Sequence, residues 1–140
     1  MVEDVVRARR FELVDDQQRP RAALYMDAGQ PILGLADEDG NARAQVAINR
    51  EGSAILRFRD AGGNDRVEIA AMEDGTGLVL SDPSGRVRLS LLIEEAGVVF
   101  VSVEDHGLRR AMGAVVPGGE IALGLWDAEG NETHSFNQAP

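Results

Sequence analysis

Asp37, Asp39 and Asn41 stand at alternate positions in an acidic turn, the spacing with which an EF-hand loop begins to gather oxygen ligands around calcium. That loop needs Gly at its sixth position and a bidentate Glu at its twelfth, whereas here Gly40 falls fourth and no Glu follows in register. An Asp side chain also closes a turn by accepting its own downstream backbone N–H groups, and this is the role the spacing predicts. No metal or other cofactor is expected.

The second titratable constellation is Asp105-His106, with His134 the only other histidine. A carboxylate beside an imidazole can serve as a general base. No Gly-x-Ser-x-Gly elbow, His-Glu-x-x-His pair or phosphate-cradling glycine loop accompanies it, so no catalytic residue is assigned. Tyr25 and Trp126 are the remaining candidates, because a ring held on a rigid sheet can stack on a sugar or anchor a protein contact.

These residues are positioned by a repeat. The frame Asp-x-x-Gly-x-x-Arg occurs as Asp37, Gly40, Arg43, as Asp60, Gly63, Arg66 and as Asp82, Gly85, Arg88. Worn copies span 15–21, 104–110 and 127–133, with Gln18 in the Gly place and Thr133 in the Arg place, and the fifth Asp falls on either Glu104 or Asp105. The step is 22 or 23 residues, a period that means a repeat architecture. Half a period away lie further polar, glycine-bearing turns at Asp27-Ala28-Gly29-Gln30, Arg50-Glu51-Gly52-Ser53, Glu73-Asp74-Gly75-Thr76, Glu95-Ala96-Gly97 and Pro117-Gly118-Gly119-Glu120. Short loops whose Gly supplies positive φ are hairpin connections, so each unit reads as strand, turn, strand, turn.

Between turns the apolar residues alternate. Leu33 and Leu35, Leu56 and Phe58, Leu78 and Leu80, Val101 and Val103, and Leu123 and Leu125 each precede a turn Asp, and Ala44, Val46 and Ile48 resume the pattern after Arg43. Period-two alternation is that of half-buried antiparallel strands. The expectation is an all-β domain over 1–140: six hairpin repeats, about twelve short antiparallel strands in a meander, the first beginning near Val5. Trp126 and Tyr25 fall on the face opposite the Leu and Val ladder.

With one face apolar, such a sheet must close, layer or pair with another chain, because an exposed apolar patch beyond a few hundred Å² is an interface or a liability. A simple twelve-stranded barrel is too wide for side chains to fill. The sequence therefore predicts a prism-like or layered multi-sheet arrangement, with propeller-like closure the alternative, the end strands pairing and Asn137-Gln138-Ala139-Pro140 loose.

Composition narrows the partners. The net charge is -10, and all fourteen basic residues are Arg. Nucleic acid is disfavoured, since that affinity rests on cations neutralising phosphates. Absence of Cys excludes a disulfide scaffold. Met1-Val2-Glu3-Asp4 does not open like a signal peptide, no apolar run reaches membrane-spanning length, and strands of six or seven residues are short for an outer-membrane barrel, so a cytoplasmic location is expected. The sum is a non-enzymatic structural or protein-interaction module, expected to form a homo-oligomer or bind a protein partner. A lectin-like glycan binder is the alternative and an enzyme of unknown reaction the third reading.

Overall fold

A computed structural model describes residues 5–138. The opening Met1-Val2-Glu3-Asp4 and the final Ala139-Pro140 lie outside the described residues. Twelve strands form one antiparallel sheet in strict sequence order. They are β1 (Arg10–Val14), β2 (Pro20–Asp27), β3 (Gln30–Ala36), β4 (Ala42–Ile48), β5 (Ala54–Arg59), β6 (Asp65–Met72), β7 (Gly75–Ser81), β8 (Val87–Glu94), β9 (Val99–Asp105), β10 (Leu108–Val115), β11 (Ile121–Trp126) and β12 (Glu132–Gln138). β1 starts later than the sequence suggests, at Arg10, and Asn137 and Gln138 belong to β12 instead of a loose tail.

The sheet is continuous and open. Among the described residues β1 pairs only with β2 and β12 only with β11, so the expected pairing of the end strands within one chain does not occur. Nor does the chain divide into the separate sheets of a prism or into propeller blades. The physical reason is that every connection is a tight hairpin: no linker is long enough to carry the chain from one sheet to another, and each strand pairs with its immediate predecessor.

Register across the sheet is set by the turns. Phe11, Leu24, Leu33, Val46, Leu56 and Ile69 stand opposite one another across β1–β6, and Leu78, Leu91, Val101, Gly113, Leu123 and Phe136 continue the row across β7–β12. A second row runs from Leu13 to His134, and a third from Met26 through Ile48, Ile93 and Val115 to Gln138. Because the side-chain period is two, all three rows lie on one face, and none of their positions carries Asp, Glu or Arg.

The apolar face is the open one. Nineteen large apolar side chains on it are exposed, from 37% at Leu91 to 66% at Leu13, while the buried hydrophobic residues Ile32 and Ala114 belong to the other face. The chain exposes 9791 Å², whereas a compact monomer of this mass would expose about 7,000 Å². The sheet therefore has no interior of its own: the face that should form a core has nothing packed upon it.

Candidate functional site

The Asp-x-x-Gly-x-x-Arg frame builds a ladder along one edge of the sheet. At each complete turn the Asp backbone N–H donates to the carbonyl four residues on, and the Gly N–H donates back to the Asp carbonyl, as in Asp37 with Asn41 at 3.0 Å and Gly40 at 3.1 Å. The same pair of bonds closes the turns at Asp15, Asp60, Asp82 and Asp127, and at Asn49, where Asn replaces Asp. Gly40 has φ +85°, and Gln18, its counterpart in the worn first copy, is forced to φ +63°. The fifth turn differs: only His106 and Gly107, both with positive φ, separate β9 from β10.

The turn carboxylates are spent on their own backbone. Asp37 Oδ1 accepts from the backbone N–H groups of Asp39 (3.1 Å) and Asn41 (2.9 Å), and Oδ2 from the Asn41 amide and Arg43. Asp60, Asp82 and Asp127 repeat this pattern, so the acidic residue that opens each of these turns closes it through its own side chain.

These bonds favour the ionised form and hold the carboxyls below their usual range. At Asp15, Asp60 and Asp127 the leading cause is the backbone N–H of Arg19, Asn64 and Asn131, and at Asp82 it is the Ser84 hydroxyl. At Asp37 partial desolvation is the largest influence and pushes upward, but Asn41, Arg43 and Asp39 together outweigh it.

The Arg of each frame joins one repeat to the next. Arg43 Nε donates to the Arg59 carbonyl at 2.9 Å while its Nη1 lies 3.3 Å from Asp37 Oδ2. Arg21, Arg66 and Arg88 likewise reach the carbonyls of Ala36, Ser81 and Glu104, each the residue just before the following turn Asp, and each pairs with the Asp of its own turn. Arg110 extends the series to the Asp127 carbonyl. A planar fork serves this geometry, one edge on a carbonyl and the other on a carboxylate, and Lys cannot reproduce it. The pairing also settles the fifth copy, because Arg110 faces Asp105 at 3.7 Å.

The remaining candidates are dispersed. Tyr25 in β2 and Trp126 in β11 sit on the face opposite the apolar rows and are both half-buried. Each has an Arg over its ring, Arg10 at 5.1 Å and Arg109 at 5.6 Å. The Trp126 ring folds back over Gly124, where a Cβ would collide with it. His106 projects into solvent with its side chain 72% exposed, Nδ1 3.3 Å from Arg86 Nη1 and Nε2 3.8 Å from Asp105. His134 lies elsewhere, in β12 opposite Leu125 on the apolar face.

Two grooves mark the faces. On the apolar side a shallow groove of about 600 Å³ opens where Gly113 and Ala111 leave space between Val101, Val103 and Leu123, with Phe136 and His134 forming its far wall. On the other face a polar groove is floored by the Arg57–Glu68 ion pair and rimmed by Glu51, Glu73, Asp74 and Glu95. The apolar face as a whole, with its nineteen exposed large side chains, extends well beyond either groove. Its signal was the alternation itself. No protein-family model matches the chain, and no curated protein matches it.

Proposed function

We propose that the chain is a non-enzymatic structural module that presents an uncharged apolar sheet face for assembly with other protein chains. The observation that carries this reading is the set of nineteen exposed large apolar side chains arranged in continuous rows on one face of a single-layer sheet. Burying such rows is the dominant favourable term available to a chain of this kind, and a sheet with no covering layer obtains it only by association. The prism-like or layered closure expected of the sequence then arises between chains.

The polar chemistry supports a structural role. The frame Asp and Arg of the three complete copies, Asp37 and Arg43, Asp60 and Arg66, Asp82 and Arg88, are engaged in closing turns and joining repeats, which stiffens the sheet. A glycan-binding reading rests on Tyr25 and Trp126; it has less support, because each ring already carries an Arg and the two lie near opposite ends of the sheet.

Light scattering of the purified chain together with uptake of bis-ANS, an apolar dye, tests the assembly reading. An open or protein-covered face gives either a monomer that takes up dye strongly or an oligomer that does not. A monomer without dye uptake would mean that the face is closed within one chain, and the reading would fail.

A further inference from the structure

We infer that the occupant of the apolar face is the same face of further copies of this chain, which meet face inward in a closed two- or three-chain assembly. The inference rests on the assembly reading above and adds who the partner is.

Dimensions come first. Eleven inter-strand steps of about 4.8 Å make the sheet roughly 53 Å wide, and seven-residue strands of about 3.3 Å per residue make it roughly 23 Å deep. Bringing two such faces together removes on the order of 2,400 Å² from solvent, within the range of about 2,000–5,000 Å² typical of obligate homo-oligomers. Each chain contributes about 1,200 Å² of this, a little under half of the roughly 2,700 Å² by which its 9791 Å² exceeds the compact expectation.

Shape and charge then select the partner. A covering surface must be apolar, about as wide as twelve strands and of matching twist, with rows at the spacing of a pleated sheet. This chain supplies that surface itself, because Leu24, Val46, Ile69 and Leu91 recur at one position of successive hairpins. The rows hold no charged side chain, so copies that meet there leave every Asp and Glu of the described residues at the margins or on the outer faces. Two or three chains related by a rotation close upon themselves, which avoids open-ended growth. Each chain carries a net charge of -10, so added salt, by screening the repulsion between copies, strengthens the assembly.

The test measures the mass of the intact chain by light scattering, with hydroxyl-radical footprinting of the same sample. The expected result is a discrete mass of two or three times 15.0 kDa, low bis-ANS uptake, and protection of Leu33, Phe58 and Leu91 while Tyr25 and Met72 on the other face are labelled. Leu91→Glu should shift the mass to one chain and raise dye uptake several-fold, and Ser90→Glu, one residue away on the opposite face, should change neither. Since Leu91→Glu could instead unfold, the wild-type footprint decides independently. A monomer that binds dye overturns the inference and leaves the assembly reading standing; a monomer that binds none overturns both. Flotation of a monomer with neutral phosphatidylcholine vesicles would assign the face to lipid and overturn it, as would an oligomer whose Leu33, Phe58 and Leu91 are fully labelled.

Discussion

Arg88 Nη2 lies 2.8 Å from Asp105 Oδ1, so the guanidinium that serves the fourth turn also grips the fifth. Its Nε donates to the Glu104 carbonyl at 2.8 Å, and its Nη1 lies 3.7 Å from Asp82. One side chain thus bridges two turns separated by a full repeat. Both partners are partly exposed, so the ion pairs contribute little and the carbonyl bond more, together about 1 kcal/mol. Arg88→Ala should lower the thermal midpoint by about 4 °C. Arg88→Lys keeps the charge but not the fork, and should recover less than half of the loss. Full recovery by Lys would show that charge alone matters.

Acid should loosen the sheet through its turns. Asp15, Asp37, Asp60, Asp82 and Asp127 all have carboxyls held below the ordinary 3.8 in the folded chain. A depressed folded value means that the stabilisation is complete above the unfolded value and is lost as pH falls through the folded one. Stability measured by urea unfolding should therefore be flat from neutral pH down to about 4 and fall below it. Changing Asp60 to Asn should make that fall shallower. Unchanged stability down to pH 2 would contradict the hydrogen-bond arrangement at these turns.

Strands and turns were legible in the sequence because each is specified locally, by two-residue alternation and by Asp and Gly at fixed offsets. What covers the apolar face was not, since alternation reports which face is apolar and nothing about the layer upon it. Closure within one chain therefore failed where strand assignment succeeded. Local exceptions show the same limit. Gly75 reads as a turn glycine, yet it begins β7, and its lack of a side chain answers the Ile93 carbonyl, only 2.5 Å from where its Cβ would sit. The Arg109 contact with Trp126 was equally hidden, because the register shift between Arg109 and Ala111 re-aims side chains in a way that spacing does not record.

The first turn carries a correctable strain. Gln18 holds φ +63° at the place where Gly40, Gly63, Gly85 and Gly130 hold +79° to +86°. A side chain in this left-handed region costs about 1–2 kcal/mol, which Gly avoids. Gln18→Gly should stabilise the chain by about 1 kcal/mol in equilibrium unfolding, and Gly85→Ala should destabilise it by a similar amount. Nothing lies near Gly85, so a loss there would report backbone conformation alone.

Gly124 tests whether Trp126 is a free ring or a packed one. The indole lies across the backbone of Gly124, with Arg109 over the ring at 5.6 Å. Gly124→Ala places a methyl where the ring now rests, and because the obstacle is a rigid aromatic on the adjoining pleat, the ring must swing outward. Trp126 is the only tryptophan, so its emission reports this site without interference. The substitution should shift that emission to the red and lower stability by about 1–3 kcal/mol, the usual cost of overpacking. Arg109→Ala, which uncovers the ring without displacing it, should produce a smaller red shift with little loss of stability. Identical spectra for wild type and Gly124→Ala would mean that the ring already stands away from the sheet in solution, open to a stacking ligand, and the balance between the assembly and glycan readings would shift toward the second.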